Sequence, residues 1–342
     1  MIKIAKNKIN EFYRIAAQSY PLYLPVKNAG AVNYGLYSEG AVVDTDTLQT
    51  VKSPKDAFFP QSENMMKFRT EGRKIEIEDI RAEQKPFILY GVRACDYKAF
   101  SVLDNVFLSD PVDTYYKERR EAAVIFTLAC GKPRESCFCT VFGIDASDPA
   151  GDVTCWQDDD YVYMRVNTEK GKAVLEKAGS LCEECGGETV EELKACAKEN
   201  LEKLPFAHLD ISEFKPENLN KLFNLPDWQE LSEACLGCGA CTFVCPTCQC
   251  FDIRDFKTEK GVIRFRCWDS CMYSDFTQMA GANPRTTQMQ RFRQRFMHKL
   301  VYYPSQYGGV YSCVGCGRCV SKCPQHLNIV KVIKKIGRHA ND

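Results

Sequence analysis

The chain has 342 residues, enough for two domains with a core each, and its 45 basic and 45 acidic residues cancel. A balance of this kind gives no general field toward nucleic acid or anionic membrane. The longest apolar-looking run, AAVIFTLAC at 122–130, is far short of the about 20 residues a membrane span requires. The N-terminal MIKIAKNKINEFYRIAA carries charge in every turn and lacks the apolar centre of a secretory signal. A cytoplasmic protein with no membrane span is expected. Twenty cysteines are the one compositional extreme, and in a reducing compartment clustered thiols point to metal ligation or catalysis rather than to a disulfide framework.

In chain order, short β-rich runs (RKIEIEDI at 73–80, PFILYGV at 86–92, AAVIFTL at 122–128, YVYMRV at 161–166) alternate with charged stretches of helical pattern such as TEKGKAVLEKAG at 168–179. FKPENLNKLFNLPDW at 214–228 carries two prolines and several turn residues, and the β-signals stop after it. The fold class expected is α+β: a mixed α/β domain over 1–220, then a mainly helical, two-cluster ferredoxin-like domain over 221–342 with a long insertion. The chain closes on a basic, helix-like segment, LNIVKVIKKIGRH.

The second half holds the strongest pattern. Cys235, Cys238, Cys241 and Cys245 before Pro246 form C-x2-C-x2-C-x3-C-P, and Cys313, Cys316, Cys319 and Cys323 before Pro324 repeat it. Three thiolates two residues apart wrap one cubane, while the fourth, set before a helix-stopping proline, reaches the neighbouring cluster. The ligation expected is therefore crossed: Cys235, Cys238 and Cys241 with Cys323, and Cys313, Cys316 and Cys319 with Cys245. Gly237, Gly239, Gly315 and Gly317 suit loops that need positive φ and close backbone approach. Zinc knuckles are the competing explanation, but zinc has no use for a third cysteine at this spacing or for the C-P ending.

In the first half, Cys95 follows one β-run, and Cys130, Cys137 and Cys139 follow another. Such strand ends are common cofactor sites. These four thiols suit a third cubane, its charge offset by Arg93, Lys132 and Arg134, and equally suit ordinary buried cysteines. Cys248, Cys250, Cys267 and Cys271, between the motifs, are expected to pack an apolar shell around the clusters rather than to form a further metal or redox-active thiol site. Cys155, Cys182, Cys185 and Cys196 are expected to be free thiols. Arg291, Arg295 and His298 share one helical face, expected to be solvated, with docking of an acidic partner as the sharper alternative. The histidines (His208, His298, His326, His339) are scattered, and no G-x-G-x-x-G or Walker A segment is present, so neither flavin nor NAD is expected on this chain.

VRACDYKAFSVLD, CFCT, CLGCGACTFVCPTCQC, WDSCMYSDFTQMAG, RFRQRFMHK and CVGCGRCVSKCP occur in this order. Over about 90–335 the chain thereby resembles the family formed by the β subunits of sulfhydrogenases and the corresponding iron–sulfur subunits of anaerobic sulfite reductases; the first 50 residues add little. The resemblance implies that Cys95, Cys130, Cys137 and Cys139 are ligands of a third 4Fe–4S cluster beside the two of the repeated motif. It also implies an electron-transfer role in which single electrons are relayed. The partners would be a flavoprotein subunit handling NAD(P)H and a terminal hydrogenase, sulfite reductase or heterodisulfide-reductase-like subunit. The turn after CFCT only partly keeps the family's Gly-rich pattern. A catalytic subunit, binding substrate at an incompletely ligated cluster or at the inter-motif cysteines, is the alternative; full cysteine ligation and the lack of acid–base residues favour the relay.

Overall fold

The computed structural model describes residues 1–340 apart from 48 and 260. Its strands are β1 (Ile2–Ala5), β2 (Leu22–Asn28), β3 (Ala31–Leu36), β4 (Ser62–Glu71), β5 (Lys74–Asp79) and β6 (Phe87–Val92), then β7 (Ala123–Leu128), β8 (Val153–Gln157), β9 (Tyr161–Val166), β10 (Glu183–Glu184), β11 (Phe251–Thr258) and β12 (Gly261–Trp268). The architecture is α+β. All four runs expected to be strands are strands, and the helical pattern at 168–179 is the helix Glu169–Lys177.

The larger sheet has the order β10–β1–β9–β8–β7–β6–β2–β3. Its centre, β2, β6, β7 and β8, is parallel, and antiparallel strands flank it on both sides. Every residue of β6 and β7 is buried, as a sheet covered on both faces demands. Ile88, Tyr90, Val124 and Phe126 face the helices Ile9–Ser19 and Glu169–Lys177. Their neighbours Phe87, Leu89, Ala123 and Ile125 face Phe100, Leu103 and Phe107 of the helix Ala94–Phe107. Because β6 and β7 are parallel, their carboxyl ends open at the same edge, which is where Cys95 and Cys130 lie.

The smaller sheet, β11–β12–β4–β5, is antiparallel and joins the two halves of the chain. Strand β12 pairs with β4 from Val262↔Phe68 to Cys267↔Ser62. At this seam Arg266, 2 % exposed at its side chain, pairs with Glu63 and Asp113, and Arg119 reaches Glu63 at 2.7 Å. The reading that β-signals stop after the 214–228 segment is corrected: β11 and β12 lie beyond it and carry Arg254, Asp255, Lys257, Arg264 and Arg266, whose charges dilute the β-signal. The alternation of Ile263, Phe265 and Cys267 was the signal available.

The remaining core is helical. Helix Ile329–Ile336 is capped by Asn328, whose side chain accepts from the N–H groups of Val330 and Lys331, and buries Ile329, Val330, Val332, Ile333 and Ile336 at helical spacing. These pack with Trp228, Phe292, Phe296, Met297 and Leu300, and Cys235, Cys241, Cys313 and Cys319 lie against that cluster. These four motif cysteines therefore sit in an apolar setting. No helix among the described residues is long and apolar enough to cross a membrane.

Candidate metal centres

The two motif loops are built alike. Gly237, Gly239, Gly315 and Gly317 all have positive φ, between 57° and 76°, and Gly239 and Gly317 each precede a short helix, Ala240–Phe243 and Arg318–Lys322. A Cβ at Gly315 would stand 2.4 Å from the carbonyl oxygen of Phe138, and one at Gly317 2.4 Å from that of Ser136. Only glycine fits there, and the second motif loop lies directly on the 136–139 segment of the first half.

Cys235, Cys238, Cys241 and Cys323 line one cavity, with Met272, Phe292, Phe296 and Arg295 in its wall. The three near-neighbour cysteines of one motif thus meet the last cysteine of the other. Cys245 lies within electrostatic reach of Cys313 and Cys316, and Cys319 within reach of the same two, the reciprocal set. At the edge of the large sheet, Cys95, Cys130, Cys137 and Cys139 line a second cavity, with Arg93, Gly315, Cys316 and Arg318. Helix Ala94–Phe107 supplies Cys95 from its first turn, and the loop after β7 supplies the other three. Among the described residues no three His, Cys, Asp or Glu side chains converge as a single metal ion requires. The cysteines of these sets instead surround a volume, the arrangement a polynuclear cluster needs.

Burial pushes the thiols of Cys95 and Cys139 well up, that of Cys241 to about 11 and that of Cys313 to about 12. Such thiols keep their protons until a metal displaces them. Buried cations work in the opposite direction: Arg93 on Cys130, Arg295 on Cys241 and Lys299 on Cys313. Burial disfavours the charge of Lys299, but the sulfurs of Cys245, Cys248 and Cys313 outweigh it and raise its pKa. Arg295 Nε and Nη1 are buried without a hydrogen-bond partner in the wall of the first cavity. Orphaned donors beside four thiols fit a negatively charged group with acceptor sulfurs, as an iron–sulfur cluster is.

The solvated face expected for Arg291, Arg295 and His298 is corrected here. Arg295 is 2 % exposed, and burial lowers the His298 pKa to about 4. The charge pattern of the helix Gln288–Met297 had concealed a cation turned toward sulfur. Sequence reasoning also missed Lys55, Lys299 and Arg318, all buried; Arg318 stands inside the second motif, between Cys316 and Cys319, whereas the fold brings Lys55 and Lys299 to the cysteines. Arg318 binds Asp96 at 2.6 and 2.8 Å and Thr50 at 3.0 and 3.1 Å, tying the second motif helix to the residue beside Cys95. Of the expected counter-charges on the N-terminal set, Arg93 lines the cavity and Arg134 acts on Cys137, whereas Lys132 is exposed.

Of the inter-motif cysteines, Cys271 is buried and Cys248, Cys250 and Cys267 are half-buried. Cys248 is within hydrogen-bonding reach of Cys245, and Cys250 of Cys271, while Cys267 faces Asp252, Arg254 and Asp269. Cys155 is buried in the sheet core, and Cys182, Cys185 and Cys196 are at or near the surface.

Residues 234–327 match the family model of a 4Fe–4S dicluster domain. No solved structure matches the chain. Sulfhydrogenase 2 subunit beta of Pyrococcus furiosus is 30 % identical over 344 aligned residues, covering 98 % of each chain. Similarity at that level extends through both sheets as well as the cysteine motifs, and the chain belongs to the sulfhydrogenase beta-subunit family.

Proposed function

We propose that this chain is the iron–sulfur electron-transfer subunit of a hydrogenase-type complex, with three 4Fe–4S sites in a row. Cys235, Cys238, Cys241 and Cys323 hold the first, Cys313, Cys316, Cys319 and Cys245 the second, and Cys95, Cys130, Cys137 and Cys139 the third. When bound, a cubane with four cysteine ligands takes up and releases one electron. The protein positions these sites, excludes water with the apolar helices of the second core and offsets their charge with Arg295, Lys299, Arg93 and Arg318.

The observation that carries this reading is that the second motif loop touches both other sets. Its helix Arg318–Lys322 precedes Cys323, which shares the first cavity, and Cys316 lines the cavity of the N-terminal four. The Phe138 N–H donates to the Gly315 carbonyl at 2.9 Å, locking the two loops together. A middle site in contact with two outer ones is the layout of a relay.

The relative is named as part of a sulfhydrogenase, which supports a hydrogenase as the terminal partner. A hydride donor delivers two electrons together and a cubane accepts one, so a flavoprotein subunit stands between NAD(P)H and this chain. The isolated chain, purified anaerobically, is expected to be reduced by a low-potential chemical donor and not by NADH or NADPH. Adding the flavoprotein partner should make either nucleotide effective. Bleaching of the iron–sulfur absorbance by NADH in a flavin-free preparation would contradict the proposal.

A further inference from the structure

The insertion between the two motifs carries a second kind of sulfur chemistry. Strands β11 and β12 form a hairpin whose open end begins at Phe251↔Trp268, and the ladder extends one step further, where the Asp269 N–H donates to the Cys250 carbonyl at 2.9 Å. Cys271 follows two residues later. The hairpin therefore closes a loop whose two ends are cysteines, and their sulfurs lie within hydrogen-bonding reach of each other. This is a different arrangement from the four-cysteine sets around a cavity, because here two sulfurs face one another directly.

The pair is not isolated from the proposed relay. Cys248 is within electrostatic reach of Cys271 and within hydrogen-bonding reach of Cys245. Two buried lysines stand beside these cysteines. Lys55, 1 % exposed, donates to the Cys248 carbonyl at 2.8 Å and stands 3.8 Å over the Trp268 ring; Lys299, 4 % exposed, donates to Thr247 Oγ1 at 2.8 Å. Neither makes an ion pair with a carboxylate within 4 Å among the described residues. The cations favour thiolate at Cys250, whose pKa is pushed down to about 7, first by the Cys271 thiol and then by the Cys271 N–H and the lysines. Thiolate beside thiol is the reactive state for forming and breaking a disulfide.

We propose that Cys250 and Cys271 are a redox-active dithiol–disulfide couple at the base of the β11–β12 hairpin, exchanging electrons with the iron–sulfur sites. Oxidation of the thiolate–thiol pair breaks its one S–H bond, forms one S–S bond, and releases one proton and two electrons, the electrons passing singly to the iron–sulfur sites. Reduction reverses each of these, the electrons arriving singly from a one-electron iron–sulfur donor. The couple gives a one-electron relay a place to store a pair. This inference rests on the relay reading, since the donor it names is one of that reading's clusters.

The test uses the full-length holoprotein, purified anaerobically, as wild type and as Cys250→Ser and Cys271→Ser. Reductive titration from the oxidised state should take up about five electrons per wild-type chain and about three in either variant, a loss of two at unchanged iron. Samples quenched in denaturant with an alkylating reagent should show the peptides of Cys250 and Cys271 linked when oxidised and separately alkylated when reduced. This wild-type measurement holds even if a variant folds poorly. Equal electron uptake in wild type and variants, or no linked peptide at any potential, would overturn the proposal. So would iron falling by about four per chain in the variants, which would assign the cysteines to a further cluster. An iron shortfall in the wild type counts instead against the relay reading, and the two-electron difference still decides the couple.

Discussion

The ion pair between Asp96 and Arg318 is where the two halves of the proposed relay are held in register, and its removal is expected to be costly. Both side chains are at most 2 % exposed, and the guanidinium meets the carboxylate in a two-pronged contact at 2.6 and 2.8 Å. Asp96→Ala leaves a buried guanidinium with only its Thr50 contacts. Breaking a buried pair on one side costs about 3–5 kcal/mol. If that loss falls on the unfolding step, unfolding in concentrated urea accelerates on the order of 100-fold or more. Trp156, Trp228 and Trp268, all buried, report unfolding by fluorescence, and a rate needs no reversibility. Arg318→Met alone should behave similarly. The double variant, with neither charge left unpaired, should unfold more slowly than the product of the two effects predicts, by a coupling of up to about 3 kcal/mol. Single variants within about threefold of wild type, or strictly multiplicative effects, would refute the assignment of this pair as the tie between the loops.

Three further outcomes follow from the same geometry. Cys245→Ser should perturb the paramagnetic signal of the cluster built on Cys313, Cys316 and Cys319 and spare that built on Cys235, Cys238 and Cys241, with Cys323→Ser giving the reverse; effects confined to each residue's own motif would contradict crossed ligation. Arg295→Leu removes a buried positive charge from the wall of the first cavity and should lower that site's reduction potential, whereas Arg295→Lys should largely preserve it. A unit charge about 8 Å away at an effective dielectric of about 20 is worth about 2 kcal/mol, or on the order of 90 mV for one electron. His298 is held neutral, its pKa depressed by burial from about 6.5 to about 4, so its contribution is fully present above about pH 6.5 and is lost as pH falls toward 4. The stability difference between wild type and His298→Gln should therefore change by up to about 3 kcal/mol across that window; a flat difference would show that burial does not hold the imidazole neutral.

Part of the site was legible because it is written in local spacing. The repeated cysteine motifs and the positive-φ glycines between them depend on a few consecutive residues. Strands β6 and β7 were equally plain, since a doubly covered sheet leaves continuous apolar runs. The gathering of Cys95, Cys130, Cys137 and Cys139 needed the parallel pairing of β6 with β7, which spacing alone does not specify. Long-range charge was not legible at all: Lys55 is 193 residues from the Cys248 carbonyl it binds, and Arg318 is 222 from Asp96. The β11–β12 hairpin was concealed by its charged residues, and with it the facing of Cys250 and Cys271.

The central claim, three cubanes on one chain, is tested most directly by anaerobic assay of iron and acid-labile sulfide per chain. We expect about twelve of each, four per cluster. A count near eight would remove the N-terminal site, and stoichiometric zinc without sulfide would contradict the account as a whole.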